Sequence, residues 1–228
     1  MKKCVILCVL IASFVGTAWA QPETLLGLQK SFAANKKALA NYSWRETETL
    51  SVDGQVKQTK ISTVEVGPDG QLLKAVVSES TPPKNKQRGP IRKRVRKRKA
   101  GEFKDYVKSV ASLAQQYAHP DKEKLRAAFE NGDVKKNDSV GTNLASITVE
   151  NYLKKGDSLT IVYHTPSDEV SSIRVNSYLK DPSETVEVVS DFSKFADGNG
   201  SHVSQTKILG QKKQLTIKIA NSDYVPRK

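Results

Sequence analysis

The side chains with the most pronounced chemistry in this 228-residue chain are cations. Between positions 81 and 100 stand Lys84, Lys86, Arg88, Arg92, Lys93, Arg94, Arg96, Lys97, Arg98 and Lys99, without a single acid. Such a run works non-covalently, by drawing phosphate or carboxylate groups to it. No aromatic residue interleaves the run to stack on bases, which argues against nucleic acid. An anionic membrane surface fits better, because each Lys or Arg near an acidic leaflet contributes about 1 kcal/mol. Arg92, Lys93, Arg94, Arg96, Lys97, Arg98 and Lys99 are the expected contacts. The bland alternative is a solvated insertion with no partner.

Covalent chemistry has less support. Of the three histidines, His119, His164 and His202, none has a second ligand at helix or strand spacing, so no metal site is expected. No Gly-x-Ser-x-Gly elbow and no Gly-rich phosphate loop occur. The expectation is a binding protein without cofactor or catalytic residues. A hydrolase assembled from separated strands is the distant alternative.

The beginning of the chain sets the compartment. MKKCVILCVLIASFVGTAWA has a cationic start, a short apolar core and the small-x-small pattern Ala18-Trp19-Ala20. Residues 1–20 therefore read as a cleaved export signal, and the MKK start is bacterial in style, which points to the periplasm of a Gram-negative cell. Both cysteines, Cys4 and Cys8, lie within it, so the mature chain is expected to hold no disulfide and no thiolate. The whole chain carries 37 Lys+Arg against 24 Asp+Glu. Without Lys2 and Lys3 the balance is +11, and the run at 81–100 supplies ten of these charges. Residues 21–228 thus read as one nearly neutral domain with a concentrated cationic patch.

Elements able to position that patch are visible as periodicities. Leu25, Leu28, Phe32 and Leu39 give 21–40 a helical stripe. Three strands follow at 41–52, 56–66 and 71–79, turning at Asp53-Gly54 and at Gly67-Pro68-Asp69-Gly70. Prolines and like charges predict a flexible excursion over 80–101, with helix from Arg92 on, as it runs into the next element, as the alternative. Phe103 to Ala118 is a clear amphipathic helix, with Tyr106, Val110, Leu113 and Tyr117 along one face. A second helix is expected from Asp121 to Asn131-Gly132. After a polar loop over 133–142, six strands are predicted at 144–153, 158–165, 170–179, 185–192, 202–209 and 215–219.

The sum is an α+β fold: a strongly curved antiparallel sheet of about nine strands, an unclosed barrel, covered by an N-terminal helix and an inserted helical pair. Either the helices pack permanently on the sheet, or they form a lid over an apolar hollow. In the second case Trp44, Phe103, Tyr106, Val110, Leu113 and Tyr117 are the candidate ligand contacts.

The stretch NKKALANYSWRETETLSVDGQVKQTKISTVEVGPDGQLLKAVV carries a resemblance. A helix running into an aromatic strand and then two Asp-Gly hairpins resembles the entry of the LolA-like family of periplasmic lipoprotein carriers, and the element order agrees over nearly the whole mature chain. The resemblance implies a hollow for acyl chains, and a lipid or acylated protein as partner to a monomer. An envelope scaffold or sensor of the same fold, holding no lipid, is the alternative. The polybasic insertion departs from the carriers.

Overall fold

One row of side chains shows how the sheet is built. Val134, Val149, Leu159, Val175, Val188, Ile208, Ile217 and Leu50 face one another in register, each on a different strand. The structure, a computed structural model, describes residues 23–81, 90–118 and 120–227, excluding the side chains at 90–93, 96 and 139. The export signal expected at 1–20 and His119 lie outside the described residues.

The chain begins with α1 (Glu23–Leu39) and the meander β1 (Tyr42–Val52), β2 (Gln55–Val66) and β3 (Leu72–Ser80). Helices α2 (Pro90–Tyr117) and α3 (Lys122–Asn131) follow. A second run of strands completes the chain: β4 (Val134–Gly141), β5 (Leu144–Glu150), β6 (Ser158–His164), β7 (Glu169–Tyr178), β8 (Thr185–Lys194), β9 (Ser201–Gly210) and β10 (Leu215–Pro226). A single 3-10 turn, Gln211–Lys213, joins the last two. All ten strands form one antiparallel sheet in the order β3-β2-β1-β10-β9-β8-β7-β6-β5-β4. The sheet is open, with β3 and β4 at its edges. Laid flat, it would extend about 43 Å at the usual strand spacing. Bulges in six of the nine ladders bend it, so that one apolar cluster, from Leu50 to Val149, forms around the same helices.

The predicted turns have the backbone that their residues favour. Asp53 and Gly54 take φ of 50° and 74°, both in the left-handed region that a two-residue hairpin needs. At α3, Asp121 accepts from the backbone N–H groups of Glu123 and Lys124, and Gly132 ends the helix at φ 76°.

Three expectations are corrected. There are ten strands, not nine, because 134–141 is β4 and not a polar loop. An edge strand needs only one partner, and Lys135, Lys136, Asn137 and Asp138 hide its period; Val134 alone packs against the core. The final strand runs to Pro226 instead of Ile219, because β1 continues to pair with it beyond the bulge at Asp223. Of the excursion expected over 80–101, residues 82–89 lie outside the described residues and 90–101 is helix, which begins two residues before the helical start expected at Arg92. Arg and Lys are good helix formers, and this segment extends a helix already anchored by packing.

That anchor is polar as well as apolar. The Tyr117 hydroxyl donates to buried Asp157 at 2.5 Å and lies 2.9 Å from Ser177 Oγ. Asp157 also accepts from the backbone N–H groups of Leu153 and Lys154. Burial, followed by the neighbouring carboxylate, holds the Tyr117 phenol well above its ordinary pKa. Tyr117→Phe leaves a buried carboxylate short of a donor and is expected to cost about 1–3 kcal/mol in urea unfolding.

Candidate functional site: a cationic helical arm and the uncovered end of the sheet

The apolar row stops at Leu50, whose neighbour on β2 is Gln58. Beyond it the same face of β2 and β3 presents Lys60, Ser62, Lys74 and Glu79 together with Val64 and Val76. The helices follow the apolar surface: α1 rests on β7 and β9, and α2 on β9. Helix α2 therefore has two unlike halves.

In its second half, Tyr106, Val110, Leu113 and Tyr117 are all buried, and Phe103 packs beside them. These expected ligand contacts fill the space between helix and sheet with their own side chains. The Tyr106 hydroxyl lies against Gly210, where an added Cβ would stand 2.6 Å from it.

In the first half, every described side chain from Arg94 to Glu102 is exposed. From Pro90 to Glu102 this is about 20 Å of helix, at 1.5 Å per residue, without a buried side chain among those described. Like charges stand one turn apart at Arg94 and Arg98, a pair that costs about 0.2–0.5 kcal/mol on a helix. Cations near the N-terminus also oppose the helix dipole. The described compensation is the pair of Arg98 with Glu102 at 3.5 Å, exposed on both sides and worth a few tenths of a kcal/mol. Arg94, Lys97 and Lys99 have no acid partner among the described residues. This arm is a rod of exposed positive charge with little internal compensation. Gly101, with open space around its Cα, stands where the rod meets the packed half.

Trp44 is not with the helix residues. It stacks on Tyr224 at 5.6 Å, in a cluster with Tyr42, Phe195 and His202. Tyr42 donates to Asp197 at 2.6 Å, tying β1 to the β8–β9 turn. Beside the cluster, Lys74 on β3 reaches both carboxylate oxygens of buried Glu46 at 2.7 Å. The spacing Tyr42-x-Trp44 was legible as one face of a strand. The other aromatics come from distant strands, and no local pattern links them.

His164 is exposed at the end of β6, and among the described residues no three of His, Cys, Asp and Glu converge as metal ligands. An open groove of about 540 Å³ runs beside α1, between Leu26, Lys30, Asn35 and the turn at Asp168. A second, of about 300 Å³, lies between Lys155, Tyr178 and Gln211. Neither lies beneath α2. No helix of the described residues is long and apolar enough to cross a membrane.

His202 gives the aromatic cluster a pH dependence. Its ring lies 3.9 Å from Tyr224 and 4.8 Å from Phe195, and Nδ1 has no partner. Burial pushes its pKa below the ordinary 6.5, so the folded state favours the neutral ring. That contribution is present above pH 6.5 and is lost as pH falls through the depressed value. Trp44 emission is expected to change on acidification through this window, and His202→Phe is expected to remove the change.

Comparison with known proteins gives likenesses of fold. No family model matches the chain, and no curated protein matches it. Among solved structures it is similar to a DUF1329 family protein from Desulfovibrio piger. The two are 9% identical over 88% of this chain and 92% of that one, with a TM-score of 0.43. It is also similar to a LolA superfamily protein from Nitrosomonas europaea, at 7% identity over 88% of this chain and 94% of that one, with a TM-score of 0.36.

Proposed function

We propose that this is an exported, non-enzymatic envelope protein that binds a lipid or an acylated protein and holds an anionic membrane surface with its helical arm. The observation that carries this reading is the arm itself. It is a solvent-exposed helix with cations one turn apart and little internal compensation, so its own electrostatics favour an anionic partner. Export is supported by the first twenty residues and makes the envelope surface the available polyanion. Carriage of an acyl chain draws on the amphipathic second half of α2, whose apolar stripe is the cover that an entering chain would displace.

A second reading, an envelope scaffold that binds protein and no lipid, is favoured by one observation. The space beneath α2 is occupied by Tyr106, Val110, Leu113 and Tyr117. Mass spectrometry of protein purified without detergent separates the two: a stoichiometric co-purifying lipid supports carriage, and a ligand-free protein that ignores added lipid supports the scaffold.

Sedimentation with vesicles tests the surface contact. The protein is expected to bind vesicles rich in phosphatidylglycerol, to ignore phosphatidylcholine, and to release as salt screens the charges. Replacing Arg94, Lys97 and Lys99 together by Ala removes about 3 kcal/mol, at about 1 kcal/mol per cation, and weakens binding about a hundredfold. Unchanged binding by this variant would overturn the reading.

A further inference from the structure

β3 is an open edge whose protection is confined to its C-terminal part, where its ladder to β2 has a bulge between Val76 and Ser78 and Glu79 follows. All nine of its residues are exposed, and among the described residues no strand lies beyond it. Folded proteins blunt such edges with proline, with an outward lysine or by keeping the strand short. β3 has no proline, and its one lysine, Lys74, is drawn inward onto Glu46. Apart from Glu79 near its end, the strand displays Leu72, Leu73, Val76 and Val77, between 48% and 67% exposed. Four of the nine large apolar side chains exposed among the described residues thus lie on this one strand. A free backbone edge with apolar side chains to either side is what strand addition uses: the ladder supplies affinity, and alternate side chains supply choice. A bilayer is a poor occupant, because unpaired backbone groups are not tolerated in hydrocarbon.

The charge beside this edge indicates what the added strand carries. Tyr106 of α2 lies against Gly210, which pairs with Leu215; Leu215 in turn pairs with Val52, at the β1–β2 turn. Ser80, the last residue of β3, pairs with Thr59, four residues into β2 from that turn. The arm therefore leaves the body of the protein at the end of the sheet where β3 finishes. Acidic residues at that end of an added strand meet Arg94, Lys97 and Lys99, the arm cations without an acid partner among the described residues. Every ladder in the sheet is antiparallel. Continued in that sense, the pairing places the acids ahead of the strand in the partner's chain.

We infer that the β3 edge is a strand-addition site for an extended segment of another protein, one in which acidic residues lead into alternating apolar residues. This goes beyond the proposed function and shares with it only the arm.

The test is fluorescence anisotropy of the purified protein with a labelled synthetic peptide, a run of aspartates followed by alternating valine and threonine. Saturable binding is expected. The variant L73K/V77K, at two exposed positions, restores the missing edge charges and is expected to weaken binding by about tenfold or more, the size of one lost hot-spot contact. Circular dichroism and Trp44 emission verify that it is folded. Peptide N-methylated at alternate residues is expected not to bind, and peptide led by lysines is expected to bind more weakly. Absence of binding, or binding indifferent to the edge variant and to N-methylation, overturns the inference. So does a dimer in sedimentation that the edge variant splits, since a second copy then fills the edge. Vesicle binding measured in parallel keeps the two readings apart. A protein that takes the peptide and ignores anionic vesicles sinks only the surface contact, and the reverse sinks only the edge site.

Discussion

The length of one apolar row governs this molecule. Eight side chains, from Val134 on β4 to Leu50 on β1, pair across the ladders and need cover. Burying each aliphatic side chain is worth roughly 1.5–3 kcal/mol, so the helices are held where the row is and nowhere else. On β2 the row meets Gln58 and ends. From that point the sheet continues for two strands whose inner face mixes Lys60, Ser62 and Lys74 with Val64 and Val76 and lies outside the main apolar cluster. Helix α2, stretching past the end of the row, has nothing to lie on before Phe103. The exposed strand β3 and the exposed arm are thus two consequences of the same boundary.

Helix α2 shows how such a projection stays ordered. Nucleating a helix is its costly step, and here the packed half provides the nucleus through Tyr106, Val110, Leu113 and Tyr117. Adding further residues costs only propagation, for which arginine and lysine are well suited. Like-charge repulsion opposes this gain turn by turn, and the Arg98–Glu102 pair offsets little of it. The arm is therefore helical by extension, with its energy tied to what neutralises it. Gly101 adds a local weakness of about 0.8–1.0 kcal/mol relative to alanine, at the joint between the halves.

What the sequence made legible follows from where each interaction is local. Alternation at Ala145, Ile147 and Val149 announced a half-buried strand because its partner face is one continuous core. Asp53-Gly54 and Asn131-Gly132 announced turns because their left-handed backbone is a property of those residues. β4 was illegible, since an edge strand with solvent on most sides has no need to alternate. Helix was legible from Arg92 but not at Pro90, because what sustains it is propagation from the packed half that begins at Phe103. The aromatic cluster was half visible. Tyr42 and Trp44 share a strand face, but Phe195, His202 and Tyr224 join them only through the register of β8, β9 and β10.

The filled space beneath α2 and the proposed carriage of an acyl chain are energetically compatible. Uncovering Tyr106, Val110 and Leu113 costs roughly 4.5–9 kcal/mol at 1.5–3 kcal/mol per side chain. An acyl chain returns about 0.8 kcal/mol for each CH₂ it buries, so a dozen of them recover about 10 kcal/mol. The exchange is close to balanced, and a small bias decides it. Tyr117, bonded to Asp157 and Ser177, fixes the far end of the helix and makes it the pivot. The arm lies at the other end, where a pull acts with the longest lever on the packed half. Engagement of the arm by an anionic surface then favours release of Tyr106 and Phe103 first, at the end of the helix nearest that surface. On the proposed function, membrane contact and uptake of a chain form one coupled step, and neutralising the arm is expected to impair uptake even of a lipid without charge.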